Sequence, residues 1–233
     1  MVAFERNDLE LDRHLPDKSD DLRRGLSLAL RPCLKVRKAI QEFLNPLQIA
    51  APGQYFYRPE EFHVTVLAII PGSEFWRDKI QHLAAYQSII AEVLQRHRKF
   101  SITFQGVTAS RGGVMIQGFP HDDTLDQMRD DLRESLEANQ LGEQLDARYR
   151  IKTAHITVMR FCEANLNAKP LLALLAANRA TDFGETRVEN LELILGDWYA
   201  SADTARTLQE YKLKSLGTPA SGGSNVADPA AAA

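Results

Sequence analysis

The alternation of apolar and polar residues predicts a chain built from two similar halves. Residues 25–32, GLSLALRP, alternate as in a strand, and a helix-spaced apolar stripe follows them. A strand bearing His63 comes next, then a helix, then two strands that meet at the turn SRGG, residues 110–113. After residue 121 the order returns: a helix, a strand bearing His155, another helix and closing strands. An α+β protein with an internal repeat is therefore expected.

Local signals give the bounds of these elements. The segment YFYRPEEFHVTVLAI, residues 55–69, reads as one strand that ends before Pro71 and Gly72. Ser73 is then placed to cap one long helix, and Asp122 or Asp123 to cap the helix of the second half. The apolar stripes of the three helices comprise Val36, Ile40, Phe43 and Leu47; Trp76, Ile80, Leu83, Ile90 and Leu94; and Leu125, Met128, Leu132 and Leu136.

Composition divides the chain into a leader, one bilobal domain and a tail. Residues 1–24 are charged, and residues 217–233 lack the apolar content needed to pack, which predicts a disordered tail. The domain is expected over residues 25–216, with lobes of roughly 25–120 and 121–216. At 233 residues, 44% apolar and 25% charged, the chain has the composition of an ordinary globular protein that can bury a sizeable core.

Hydropathy, net charge and the two cysteines argue against several functions. No apolar run has membrane-spanning length and the N-terminus has no secretory signal, so a cytoplasmic protein with no membrane partner is expected. The net charge of −3 argues against binding of duplex DNA, which normally needs a basic surface, but it allows binding of a nucleotide or a short RNA end. The two cysteines lack metal-site spacing and are expected to be free thiols. We expect a monomer.

The two predicted motif strands share an unusual polar pair. His63 and Thr65 interrupt the apolar segment EFHVTVLAI, and His155 and Thr157 interrupt TAHITVMRF, 92 residues later. Strand side chains alternate between faces, so each histidine shares a face with its threonine. One such histidine is more often a hydrogen-bonded core residue. Two such histidines, each within the same order of helices and strands, favour two related lobes that face each other.

These motifs resemble those of the two-histidine (2H) phosphoesterases, which include the LigT-like cyclic phosphodiesterases once called 2′-5′ RNA ligases. The resemblance covers residues 25 to about 213. GLSLALRP with its helix is similar to the family's opening elements, and HITVMR, which ends at Arg160, is similar to its second motif. The resemblance implies two pseudo-symmetric lobes, each an antiparallel sheet flanked by helices, with a cleft between them. His63, Thr65, His155 and Thr157 would be catalytic.

The chemistry of such a site follows from the residue types. Opening a 2′,3′-cyclic phosphate requires a base for water and an acid for the departing ribose oxygen. Two imidazoles, with ordinary pKa values of about 6.5, can hold these opposite protonation states together. Threonine hydroxyls can donate to the phosphoryl oxygens. No metal or other cofactor is needed, and the sequence has no HExxH motif. Which histidine is the base stays open at this stage.

The expected function is hydrolysis of 2′,3′-cyclic phosphates of nucleotides or RNA ends. The alternatives are cleavage or ligation of 2′-5′ linkages, and a non-catalytic module that binds phosphorylated RNA ends. A structural protein with two coincidental histidines is a further alternative. If the histidines are structural, replacing either with alanine would destabilise the fold.

Further residues are candidates for binding the substrate. Tyr57, Tyr199 and Arg160 are expected to contact it, and Tyr57 is the preferred residue for stacking on a base. Strict alternation puts Arg160 on the face opposite His155, so reaching the phosphate would require a bulge or the strand end; a structural role stays open. The remaining aromatic candidates are Tyr55 and Trp198. The basic cluster before His155 comprises Arg148, Arg150 and Lys152, and the acidic run at His121, Asp122 and Asp123 is interpreted as a helix cap.

Overall fold

A computed structural model describes residues 9–16, 18, 21–146, 150–164 and 166–215. The predicted disordered tail, the first eight residues of the leader and Arg148 of the basic cluster lie outside the described residues. The helices and strands, in chain order, are β1 (Arg24–Leu30), α1 (Leu34–Ala50), β2 (Tyr55–Phe56), β3 (Val64–Ser73), α2 (Trp76–Lys79), α3 (Leu83–Leu94), β4 (Phe100–Ala109), β5 (Gly113–Pro120), α4 (Thr124–Ala138), β6 (Ala154–Arg160), α5 (Ala168–Ala177), β7 (Asp182–Val188), β8 (Asn190–Gly196) and β9 (Arg206–Lys212).

These elements form two antiparallel sheets flanked by helices, which confirms the predicted α+β fold. The first sheet has the strand order β3-β1-β8-β9 and the second has the order β2-β6-β5-β4-β7. Helices α3 and α4 pack with the first sheet, and helices α1 and α5 pack with the second. Each sheet thus has one covered face, which is where the core lies.

The predicted boundary near residue 120 does not separate the two sheets. Strands β4 and β5 from the first half of the chain belong to the second sheet, and β8 and β9 from the second half belong to the first. The hairpin β4–β5 pairs with β6 on one side and β7 on the other, whereas β8 pairs with β1. The lobes are therefore interleaved along the sequence.

Helix α1 shows why the helical stripes were readable from the sequence. Its buried side chains fall at positions i, i+4, i+7, i+8 and i+11, which lie on one face of a helix. They are Val36, Ile40, Phe43, Leu44 and Leu47. Burying each such side chain contributes roughly 1.5–3 kcal/mol before conformational entropy is counted, so the apolar face determines which side of the helix meets the second sheet.

The prediction of one strand over residues 55–69 is wrong. Strand β2 pairs with β6 in the second sheet, and β3 pairs with β1 in the first. A turn separates them, in which the N–H of Glu61 donates to the carbonyl of Arg58 at 2.9 Å. Strand β3 also continues through Pro71 to Ser73. Proline is tolerated there because β3 is an edge strand with a partner on one side only.

The long helix expected after Ser73 is also wrong. Ser73 ends strand β3, and two helices, α2 and α3, follow it. The Ser73 hydroxyl accepts a hydrogen bond from the N–H of Phe75 at 3.1 Å, one residue before α2 begins. The serine therefore stabilises the turn that leaves the strand.

The two motif strands meet where the sheets adjoin. Strand β3 is an edge of the first sheet, and β2 pairs only with the last two residues of β6, Met159 and Arg160. Strands β3 and β6 lie in contact with each other. The histidines carried by the two halves are therefore brought to the junction between the sheets.

Candidate active site

One cavity at this junction is lined by all four residues of the repeated motif. His63 and Thr65 contribute to its wall from the first sheet, and His155 and Thr157 contribute from the second. The cavity is open to solvent on one side, and its empty space, counted together with the solvent at its mouth, is about 930 Å³. The hydroxyls of Thr65 and Thr157 have no hydrogen-bond partner within the described ranges. They are therefore available to a ligand.

His63 is held in one orientation by the main chain. Its Nδ1 lies 2.7 Å from the carbonyl oxygen of Glu61, so Nδ1 carries the proton that it donates and Nε2 is left for the cavity. Burial lowers the pKa of His63 to about 4; the hydrogen bond to Glu61 opposes this, and the nearby charges of Arg31, His155 and Arg160 reinforce it. The imidazole is therefore neutral at pH 7, and Nε2 can accept a proton.

Glu61, which the sequence analysis did not single out, supports that orientation. Its side chain is 1% exposed, and its carboxylate accepts hydrogen bonds from the Tyr55 hydroxyl at 3.0 Å, the Arg58 N–H at 2.8 Å and the Ala202 N–H at 3.1 Å. These bonds fix the turn whose carbonyl holds His63. A glutamate beside a proline-containing turn reads as a surface residue, so the sequence offered no signal for this role.

His155 is held less tightly. Its Nδ1 lies 3.3 Å from the hydroxyl of Thr153, which is a long contact for a hydrogen bond. Burial lowers the pKa of His155, and the positive charges of Arg129 and Arg160 lower it further. The two rings are thus chemically distinct although their motifs are nearly identical.

A bulge in β6 brings Arg160 to the cavity. Along β5, Met115 pairs with Thr157 and the preceding residue pairs with Met159, so Val158 is the additional residue on β6. One additional residue reverses the alternation, which returns Arg160 to the face of His155. Arg160 lines the cavity as a result. The sequence left a bulge or the strand end as the means of turning Arg160 to this face; β6 has the bulge, and Arg160 is also its last residue.

Strand β3 has the matching irregularity. Leu28 pairs with Leu67 and Ala29 pairs with Thr65, so Val66 is the additional residue on β3. The residue five positions after His63 is Ala68, which also lines the cavity. Each motif strand therefore has a histidine–threonine pair, a one-residue bulge and a cavity-lining residue five positions after the histidine. This last residue is the charged Arg160 on β6 and the uncharged Ala68 on β3.

The contact of Tyr57 and Tyr199 with the substrate stays a prediction, and the burial of both rings weighs against stacking on a base. Tyr57 borders the cavity but is only 2% exposed, and its hydroxyl accepts a hydrogen bond from Nε of Arg160 at 2.8 Å. Tyr199 is 0% exposed, does not line the cavity and donates to Oδ1 of Asp12 at 2.7 Å. Both rings are occupied by internal packing. The half-buried Trp198 lines the cavity, and the Arg160 guanidinium carbon lies 5.8 Å from the centre of its ring.

The acidic run precedes α4, where the side chain of the N-cap residue Asp123 makes no capping hydrogen bond and Asp122 bonds the first helical residue instead. Oδ1 of Asp122 accepts a hydrogen bond from the N–H of Thr124 at 3.0 Å, and hydrogen bonding to Thr124 lowers the pKa of Asp122. Within the described residues, no three His, Cys, Asp or Glu side chains are grouped as metal ligands. Cys33 and Cys162 are both free thiols. None of the helices described is both long and apolar enough to span a membrane.

Comparison with known proteins identifies the family. The model of the 2′-5′ RNA ligase superfamily matches residues 36–197, so the chain belongs to this superfamily, as the resemblance to the LigT-like 2H phosphoesterases predicts. No curated protein sequence matches the chain significantly.

Solved structures share the fold at low sequence identity. The protein TT0787 of Thermus thermophilus has a TM-score of 0.63 at 17% identity, covering 82% of this chain and 98% of its own. E. coli LigT complexed with 3′-AMP has a TM-score of 0.55 at 14% identity, covering 82% and 99%. E. coli LigT complexed with NADP+ has a TM-score of 0.52 at 14% identity, covering 82% and 98%.

Proposed function

We propose that this protein hydrolyses 2′,3′-cyclic phosphates of nucleotides or RNA ends by acid–base catalysis with His63 and His155. The observation that carries the proposal is the single cavity with an imidazole and a threonine hydroxyl contributed by each sheet. The structures of LigT with 3′-AMP and NADP+ support a nucleotide as the ligand, since LigT has the same fold.

In the proposed reaction His63 is the base. Burial keeps its imidazole neutral at pH 7, and the carbonyl of Glu61 leaves Nε2 as the proton acceptor. Water attacks the phosphorus as its proton passes to Nε2. The bond from phosphorus to one ribose oxygen breaks, and that oxygen takes a proton from His155. The product is a phosphate monoester, and the two rings recover their protonation states through solvent.

The remaining charge of the transition state falls on the non-bridging phosphoryl oxygens. The hydroxyls of Thr65 and Thr157 donate to these oxygens in the proposed complex, and Arg160 supplies a positive charge. An anionic phosphate also favours protonated imidazole, so substrate binding raises the pKa of both rings. This effect supplies the proton that His155 needs as the acid.

A base attached to the ribose is proposed to pack on Trp198. Trp198 is the aromatic side chain that both lines the cavity and retains exposed surface, and aromatic stacking is worth roughly 1–3 kcal/mol per base. Stacking tolerates any base, so this contact favours a nucleotide without selecting its identity.

The proposal is tested with 2′,3′-cyclic AMP in EDTA, with the product followed by phosphorus NMR. The wild type and the control His82→Ala, which changes an exposed histidine, should form a monoester. His63→Ala and His155→Ala should each lose activity by roughly 10² to 10⁴-fold while remaining folded, an order-of-magnitude expectation for acid–base residues. Tight binding without turnover of this compound or of a 2′-5′-linked dinucleotide would favour the binding-module alternative.

The base and acid roles are separated by the leaving group. A nucleoside p-nitrophenyl phosphodiester releases p-nitrophenolate, which needs no proton. His155→Ala should therefore recover activity on this ester relative to the cyclic phosphate, and His63→Ala should not. The reverse pattern would exchange the two roles and leave the paired-histidine mechanism intact.

A further inference from the structure

Arg129 on α4 is an unusually buried charge next to the site. Its side chain is 1% exposed, and its ion-pair partner among the described residues is the exposed carboxylate of Asp126 at 3.3 Å. Removing a guanidinium from water is costly, and apolar replacements of buried ion pairs are often neutral or stabilising. Burial of this charge is therefore weak evidence for a role in stability alone.

The guanidinium connects the two motif strands through their carbonyl groups. Its Nε donates to the carbonyl of Val66 at 3.0 Å, and its Nη2 donates to the carbonyls of Thr65 and Thr153, each at 3.1 Å. Thr65 is the motif threonine of β3, and Val66 is the bulge residue beside it. Thr153 precedes β6, and its hydroxyl contacts His155. One nitrogen atom thus joins both sheets within two residues of each motif histidine.

We propose that Arg129 is a positioning residue that fixes the separation of the two motif strands and thereby the alignment of His63 with His155. This inference rests on the proposed function of the two histidines. Arg129 does not line the cavity and touches no substrate in this scheme. Its planar fork bonds carbonyls in two directions at once, which the single ammonium of lysine reproduces poorly.

Burial has the largest effect in lowering the pKa of His155, and the positive charges of Arg129 and then Arg160 lower it further. The pKa of His155 is therefore a readout that would not change if Arg129 contributed packing alone. The other titratable or charged groups that line the same cavity as His155 are His63 just before β3, Arg160 from β6, Asp146 from the loop after α4 and Asp197 from the loop after β8. A second cavity shares His155, Thr157, Arg160 and Trp198 with the first and adds the charged or titratable residues Glu10, Asp12, Arg13, His14, Arg23 and Arg111.

The test compares Arg129→Met and Arg129→Lys with Leu136→Ala, a neutral destabilising change at a buried position of the same helix. Proton NMR titration of the imidazoles should show a higher pKa for His155 in Arg129→Met and a nearly unchanged one in Arg129→Lys and Leu136→Ala. On 2′,3′-cyclic AMP, kcat should fall about tenfold to a hundredfold in both arginine variants, with KM nearly constant, because alignment is lost.

The outcomes separate this inference from the proposed function. An unchanged pKa of His155 in Arg129→Met, or a kcat in Arg129→Lys equal to that of Leu136→Ala, would overturn the role of Arg129. If Arg129→Met does not fold, Arg129→Lys decides the matter through its kcat. If the wild type turns over no cyclic phosphate, the proposed function fails. The NMR titration still tests whether Arg129 affects the pKa of His155.

Discussion

Arg160 and Ala68 occupy equivalent places in the cavity wall, each five residues after a motif histidine and beyond a one-residue bulge. Only the β6 side carries a positive charge there. Since the pairs of histidine and threonine are otherwise alike, this difference makes a pseudo-symmetric site asymmetric. A phosphate bound between the histidines is therefore expected to place an anionic oxygen toward Arg160.

Replacing Arg160 tests this asymmetry. Arg160→Met should lower kcat/KM on 2′,3′-cyclic AMP about tenfold to a hundredfold, because one charged donor to the phosphoryl oxygens is lost. Tyr57→Phe should have a smaller effect in the same direction, since it removes the hydrogen bond that orients the guanidinium. Steady-state kinetics beside the exposed control Arg206→Met provides the measurement. Full activity of Arg160→Met would remove this residue from the site.

The buried carboxylate of Glu61 is expected to act through His63. In Glu61→Gln one acceptor oxygen becomes a donor, so at least one of the bonds that hold the turn is lost, at about 1–3 kcal/mol of unfolding free energy. Both Tm and kcat should fall, because the carbonyl that orients His63 shifts. Thermal unfolding and kinetics should be compared with Leu136→Ala. A kcat no lower than that of this destabilised control would contradict the assignment.

The pKa shifts predict an acidic optimum for kcat/KM, which reports the free protein. The base His63 loses its proton near pH 4, and the pKa of the acid His155 lies below its ordinary value of 6.5. Between these two pKa values His63 is mainly neutral while His155 is mainly protonated, so the maximum of kcat/KM should lie below pH 6.5. For kcat the maximum should move to higher pH, because bound phosphate raises both pKa values. A kcat/KM maximum above about pH 7 would count against this account.

Protein stability should follow the same groups. An unfolded His63 has a pKa of about 6.5, whereas the folded one has a pKa of about 4. Between these values the unfolded chain binds more protons, so the free energy of unfolding falls as the pH is lowered from 6.5 to 4. In urea unfolding, the free energy of unfolding of His63→Ala should fall less over this pH range than that of the wild type or His82→Ala. Parallel curves for all three proteins would be the contrary result.

Trp198 should contribute to binding only when the ligand carries a base. Trp198→Leu should raise KM for 2′,3′-cyclic AMP about tenfold, given a stacking energy of roughly 1–3 kcal/mol. Glycerol 1,2-cyclic phosphate has the reacting ring without a base, so its KM should not change. Equal effects on both compounds would indicate a general loss of cavity shape instead of stacking.

The sequence was sufficient for the parts of the site that depend on local periodicity. Two-residue alternation places His63 with Thr65, and His155 with Thr157, whichever strands lie beside them. The bulge that redirects Arg160 depends on pairing with β5, which no local pattern records. Sequence order likewise predicted contiguous lobes, whereas β4, β5 and β8 take partners from the opposite half because long-range pairing decides the sheets.

Buried polar residues were the least predictable part. Glu61 and Arg129 are among the types most often exposed, so their sequence positions suggest solvent contact. Their burial becomes evident only when partners distant in sequence are placed beside them: Ala202 for Glu61, and Val66 and Thr153 for Arg129. The burial of Tyr57 and Tyr199 was unpredictable for the same reason, since their hydroxyls bond Arg160 and Asp12, which are distant in sequence.

The most direct test of the paired-histidine mechanism is a double-mutant cycle on 2′,3′-cyclic AMP hydrolysis in EDTA. Groups that act as one unit give strongly non-additive losses, so the account predicts that His63→Ala with His155→Ala is barely slower than either single variant. Losses that simply multiply, or a single variant that retains most of the wild-type rate, would contradict joint action of the two rings on one phosphate.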